Sequence, residues 1–378
     1  MKLSYRNTGL LVLLIWAAIP GAHATDDDTK VSKTITEGFV LPANGHLEVI
    51  NKYGQILINN SDSDSIIVKL EIIAYGKDRE AAKKIMGRVN YDFEKTNQYL
   101  TLETILDRKS GAFKELWNNI GDYSKTLLSK NKLEINYEIS VPKSITISLT
   151  NKFGDVFIAE REQKVDVQMS HGNLRTNDLN TKSNISLSYG QAHIKHVKDG
   201  DFIFKSSEID IKSIALAGIQ SSSSEISIGQ ADDLSLDSKS DKSVEISSVA
   251  KLKGKMTLSK LKVDDLTKNL NIDLKYSDIR VNHIPFNFSL IRIDGRFSDI
   301  ELEFEPSTYM DVDIKVDEDK FILPMTDLKK EYIDEKKGLI QLSGVIGSKN
   351  NYKGSLNIDS ESGEVNIKLK PQQSVKFN

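Results

Sequence analysis

The sequence predicts an all-β chain wound as a parallel β-helix, a β-solenoid with turns of about 18 residues. It adds an N-terminal α+β cap and a short helical insertion. Three observations predict this. The first is a recurring corner motif. It reads Asn51-Lys52-Tyr53-Gly54-Gln55-Ile56 and, a hundred positions on, Asn151-Lys152-Phe153-Gly154-Asp155-Val156. Shorter copies follow at His171-Gly172, Tyr189-Gly190, Tyr276-Ser277-Asp278-Ile279, Phe297-Ser298-Asp299-Ile300 and Ser362-Gly363-Glu364-Val365.

The second observation is strict alternation around each corner. Val165, Val167 and Met169 lead into one copy, and Val156 and Ile158 lead out of another. Period two over such runs means a strand with one buried face. The third is proline placement. The chain has 7 prolines, and none falls between Ser144 and Ile284. A strand that must donate its amides to the next layer has no use for proline.

The corners at Gly154, Gly172, Gly190, Ser207 and Ser224 set the period. The match weakens through Ser240 and Lys260 and returns at Ser277 and Ser298. Gly or Ser is expected to take the unusual backbone angles of each corner. One layer cannot stand alone. About six inward apolar side chains stabilise it by about 1.5–3 kcal/mol each. Ordering about 18 backbone units costs about 1–2 kcal/mol each. Stacking layers on one another closes that gap, and the crossover rule for parallel strands makes the coil right-handed.

Taken in order, Met1–Ala24 reads as a secretory leader. It has a basic start at Lys2 and Arg6, an apolar run from Leu10 to Ile19, and a small-x-small site at Ala22-His23-Ala24. No later apolar run reaches membrane-spanning length. Asp26–Asp28 reads as a solvated tail. Residues 25–140 are expected to form strands with capping helices. Strands fill Thr34 to Ile73, and Asp78 caps a short helix to Met86. Phe113, Leu116, Trp117 and Ile120 have helical spacing inside Asp107–Lys130. That insertion is expected to pack over the open end of the coil, with a partner- or membrane-binding role as the alternative. Residues 141–316 form the regular coil. Residues 317–378 supply a charged excursion, closing strands and the tail Pro371–Asn378.

The chain of 378 residues has no cysteine, which removes disulfides, thiol nucleophiles and thiolate zinc sites. Its net charge of −3 argues against nucleic acid as a partner. No catalytic, cofactor-binding or metal-ligating residue is assigned. His193 and His196 are three apart, and on a strand they are expected on opposite faces, unsuited to one metal. His171 falls in the aromatic slot of the motif beside Phe153 and Tyr189, where a stacked ladder is expected. The serines at Ser221–Ser224 and Ser235–Ser248 sit in no nucleophile elbow and read as corner hydroxyls.

The Asn-Lys-Tyr-Gly-x-Ile and Asn-Lys-Phe-Gly-Asp-Val copies resemble the putative-adhesin family of exported β-solenoid proteins of Gram-negative bacteria. This is a domain family of unknown function, related to the adhesin-head type. The resemblance covers about Leu47 to Leu369, although the copies from Ser206 to Lys260 lack the aromatic-Gly pair. It implies a repetitive β-helix in the periplasm, at the outer-membrane surface or outside the cell, and brings no catalytic residues. The expected function is non-enzymatic: an adhesin-like scaffold binding envelope polysaccharide or a surface protein. The alternative is a carbohydrate-active enzyme on a β-helix using paired carboxylates near Asp278, Asp299 and Glu301.

Overall fold

The computed structural model describes residues 29–106, 133–322, 328–334, 338–347 and 352–369. The expected leader, the Asp26–Asp28 run, the Asp107–Lys130 insertion and the tail from Pro371 lie outside the described residues, as do parts of the charged excursion.

The chain is mainly β, and one hydrogen-bonded sheet of 25 strands takes in every described strand. Its middle consists of long parallel strands: Asn173–Ser188, Gln191–Lys205, Glu208–Ser222, Glu225–Lys239, Ser243–Thr257 and Lys260–Lys275. Each pairs in register with the next. Gln191 lies opposite Glu208, Glu208 opposite Glu225, and Glu225 opposite Ser243. The parallel pairing continues through Ser206–Lys260, where the aromatic-Gly pair is missing, with one register shift between Val249 and Lys251, because the inward aliphatic columns and the backbone ladder continue without it.

Burial shows how a 15-residue strand closes around a core. In Glu208–Ser222, Ile209, Ile211, Ile214, Ala217 and Ile219 point inward. Two consecutive residues face outward at Lys212-Ser213 and again at Ala215-Leu216. Each double step turns the chain, and a third, sharper corner separates one strand from the next. Stacked inward residues merge into one hydrophobic cluster running from Leu41 to Ile367.

At both ends, stacking order departs from chain order. His46–Lys52 pairs with Thr146–Lys152 on one side and Tyr99–Leu106 on the other. Ile56–Ser61 likewise lies between Val156–Ile158 and Leu133–Pro142. Antiparallel strands Ser65–Gly76 and Thr29–Val40 continue outward from Leu133–Pro142. At the other end Gly354–Glu361 slots between Leu290–Arg296 and Met310–Asp317. Antiparallel strands Leu339–Ile346 and Lys329–Asp334 finish the stack. The expected helix runs Arg79–Met86, with the Ala81 amide donating to the Asp78 carboxylate at 2.8 Å.

One buried cation fastens the N-terminal layers. Arg161 has no exposed surface. Its guanidinium donates to the carbonyls of Pro142 (2.8 Å), Ile145 (2.7 Å) and Val141 (3.3 Å), and to Asn60 Oδ1 (3.3 Å). Burial pulls its pKa down to about 10, which leaves it charged at neutral pH.

Candidate functional site

The corners form one column up the stack, and the structure moves the backbone strain within them. The left-handed residue is the aromatic rather than the glycine after it. The φ values are 62° at Tyr53, 59° at Phe153, 56° at His171 and 60° at Tyr189. Ser206, Ser223, Ser240, Leu258, Tyr276, Phe297 and Ser362 continue the series. The glycine is needed for closeness. A Cβ on Gly154, Gly172 or Gly190 would sit 1.9, 2.1 or 2.0 Å from the carbonyl oxygen of the adjacent layer's glycine.

Where serine replaces glycine, its hydroxyl becomes a rung of a buried ladder. The Ser207 amide donates to Ser224 Oγ (3.2 Å), Ser259 to Ser277 Oγ (3.1 Å) and Ser277 to Ser298 Oγ (3.0 Å). Asp241 takes the same place in its layer, accepting the Ser224 amide at 2.7 Å and the Ser238 and Ser221 hydroxyls. The motif's asparagine is also structural. Buried Asn151 donates to the Gly54 carbonyl at 2.9 Å, and Asn51 to the Ile135 carbonyl at 2.9 Å.

The left-handed residue's own side chain points out into solvent, and there the rings stack. Tyr53 and Phe153 have centroids 5.4 Å apart at 8°, Phe153 and His171 5.0 Å at 6°, and His171 and Tyr189 4.9 Å at 5°. Tyr276 and Phe297 form a second stack, 5.0 Å at 10°. These rings remain open to solvent: Phe153 is 38% exposed, Tyr189 58%, Tyr276 50% and Phe297 51%. Ser206, Ser223, Ser240 and Leu258 separate the stacks, over a height of about 24 Å at about 4.8 Å per layer.

Beside the corner, the outward residues of the following strands form two shallow depressions. One, about 410 Å³, is lined by Leu57, Phe157, Arg175, His193 and Lys212 among others. The second, about 450 Å³, includes Glu245, Lys262, Asp278, Arg280, Asp299 and Glu301.

The three acids of the enzymatic alternative thus share a depression, yet each has structural work. Asp278 Oδ1 lies 3.5 Å from the Asp299 amide, and Asp299 Oδ1 accepts the Glu364 amide at 2.9 Å. Asp155 accepts the Asn173 amide at 2.8 Å in the same way. The Asp of the motif therefore ties one layer to the next. Glu301 receives Lys368 and lies 3.6 Å from Arg280, and the Lys368 hydrogen bond chiefly holds its carboxyl below the usual range. A glycosidase acid needs the opposite shift.

The histidines fall differently from expectation. His193 and His196 both face outward, because the chain turns between Ile194 and Val197 and breaks the two-residue alternation. His193 Nδ1 lies 3.4 Å from Asp210, and His196 Nδ1 meets Ser213 Oγ. His171 is in the aromatic stack, as its slot implies. Sequence reading passed over His283, which lies between Asp265 (2.6 Å) and Glu305 (3.1 Å) from the layers either side. Among the described residues no group of three or more His, Asp or Glu could hold a metal ion. Among them, too, no helix is long and apolar enough to cross a membrane.

No known protein-family model matches the chain, and no curated protein matches it. Comparison with solved structures does find matches. A "putative adhesin" of Bacteroides fragilis is 11% identical over 89% of this chain and 97% of that one, at a TM-score of 0.30. A "putative cell adhesion protein" of Clostridium sporogenes is 13% identical over 89% and 100%, at 0.17. A "putative lipid binding protein" of Parabacteroides distasonis is 10% identical over 88% and 96%, at 0.22. At these TM-scores no ligand or role passes from those proteins to this chain. Structures named putative adhesins are thus among those the chain matches, and its corner motifs are the part of the sequence that resembles that family.

Proposed function

We propose that the chain is an exported, non-enzymatic β-solenoid of about 18-residue turns that binds polysaccharide at the bacterial cell envelope along its aromatic corner. The carrying observation is the pair of exposed ring stacks, held outward by a left-handed backbone at every layer. Such a backbone costs a non-glycine residue about 1–3 kcal/mol. Rings that only served the core would be buried; these stack on one another and leave their edges in water. The ring faces left without an aromatic neighbour at the stack ends, as at Tyr189 and Tyr276, can pack against the C–H faces of pyranose rings, and the ring edges between line a path for a linear, repeating ligand. The 25–140 region and the residues after 317 act in this reading as covers for the ends of the stack.

Serine already occupies the corner at Ser206, Ser223 and Ser240, so Tyr189→Ser and Tyr276→Ser remove a ring without a foreign backbone. We expect each to weaken binding of purified envelope polysaccharide about tenfold, roughly the 1.4 kcal/mol of a lost ring contact, with an unchanged melting temperature. Unaltered protein that binds no envelope polysaccharide would refute the proposal.

A further inference from the structure

The face beside the corner carries opposite charge at its two ends. In the depression of the later layers, Glu245, Asp278, Asp299, Glu301 and Glu364 outnumber Lys260, Lys262 and Arg280. In that of the earlier layers, Arg175, His193, Lys195 and Lys212 meet a single acid, Asp210. Part of this positive charge is already answered. Lys195 lies 3.6 Å from Asp178, and His193 lies 3.4 Å from Asp210. Arg175 and Lys212 form no ion pair among the described residues, whereas Lys182, Lys242, Lys251 and Lys262 along the same stack each have a carboxylate beside them.

Register fixes how these groups are laid out. Leu57, Phe157, Arg175, His193 and Asp210 stand in one outward column on five successive layers. Lys212 is two residues beyond Asp210 on the same outward face. Arg175 and Lys212 are therefore about 10 Å apart up the stack and about 7 Å apart along the strand. Leu57 and Phe157, both half-buried, provide an apolar floor next to Arg175.

Resting on the polysaccharide reading above, we propose that this depression is an acid-sugar subsite and that the ligand is a uronic-acid-containing polysaccharide. Phe157 and Leu57 take the face of one sugar ring. Arg175 forks onto a carboxylate through two parallel N–H donors, and Lys212 pairs with a second. The depression is open and has only two apolar side chains at its floor, which suits a chain lying across it; an acyl tail calls for a deep apolar cavity. The acid-rich depression repels uronate residues, so these stay on the earlier layers while neutral stretches of the same polysaccharide reach the second ring stack. Affinity should therefore level off once an oligomer spans about 20 Å, the height of these five layers.

The test is calorimetric titration of the full mature chain with oligogalacturonate of graded length, with cello-oligosaccharide as the neutral probe and phosphatidylglycerol vesicles as a third arm. The expected result is preference for oligogalacturonate, weakened by salt, and at least tenfold loss in the Arg175→Gln/Lys212→Gln double variant. The same substitutions should leave cello-oligosaccharide binding and the melting temperature unchanged, and Glu245→Gln should strengthen oligogalacturonate binding or leave it intact. Equal binding of both saccharides, unaffected by the double variant, overturns this inference and leaves the polysaccharide reading standing. Binding of neither saccharide overturns both. Preference for the vesicles, lost in the double variant, overturns it in favour of an anionic lipid surface.

Discussion

Arg161 shows how much a single side chain can carry in a stack without disulfides. It offers one charge to three main-chain carbonyls and an amide oxygen, with no carboxylate among these hydrogen-bond partners. Arg161→Met keeps the volume and strands those carbonyls in the core. An unsatisfied buried group costs about 1–3 kcal/mol, so we expect a loss of about 3 kcal/mol, read as a lower urea midpoint. His283 works in the opposite register, at the surface. Burial lowers its pKa, but the hydrogen bonds and charges of Asp265 and Glu305 outweigh that and the net shift is upward. A raised pKa means that the pairing stabilises fully below histidine's ordinary value of 6.5 and fades as pH rises through the folded-state value. The melting temperature of the unaltered chain should exceed that of His283→Gln in acid and match it in alkali. Neither residue could be singled out from sequence. Both depend on partners 16 to 22 positions or more away, and only the layer register brings those together.

At the scale of the element, the corner was legible in outline. The recurrence of aromatic-Gly and aromatic-Ser pairs located it, and the alternation on either side named the inward residues. Its internal division of labour was hidden. Sequence reasoning assigned the strained angle to the small residue, because small residues usually take it. The structure assigns strain to the ring and close approach to the glycine. Gly172→Ala would press a methyl within 2.1 Å of the Gly154 carbonyl. It should destabilise by more than about 3 kcal/mol, since the obstacle is backbone and the layers must part. Asp241 makes a gentler test of the hydroxyl ladder. Asp241→Ser restores the serine of neighbouring layers, whereas Asp241→Ala strands the Ser224 amide. The alanine variant should be less stable than the serine variant by about 1–2 kcal/mol in the same urea experiment. The acids of the enzymatic alternative were located in sequence, but their work in tying layers appeared only with the ladder. The outward turn that places His193 and His196 on one side was invisible to a strict two-residue count.

The whole molecule is a stack whose ends are closed by its own chain. Layer His46–Ser61 and layer Gly354–Leu369 are each laid between strands that lie far from them in sequence. The outermost strands run antiparallel, and one of them, Lys329–Asp334, is short and bears Lys329, Lys330 and Glu331. Charge on a short edge strand discourages pairing with another molecule. Sequence alternation pointed to the β-rich middle, where long parallel strands stack in chain order. It could not reveal the ends, where closure joins segments 65 and 100 positions apart and leaves no periodic trace.

The corner column and the depression beside it both require residues 17 positions apart to be neighbours in space, as Ser206 and Ser223 are. The chain has 0 cysteines, so paired cysteines report this without interference. Adjacent layers put such corners about 4.8 Å apart, within disulfide reach, whereas corners two layers apart are about 10 Å apart, beyond it. Mild oxidation should crosslink Ser206→Cys/Ser223→Cys within one chain and leave Ser206→Cys/Ser240→Cys as free thiols. A first pair that stays reduced, or two pairs that close equally, would contradict the stacked column and the binding surface built on it.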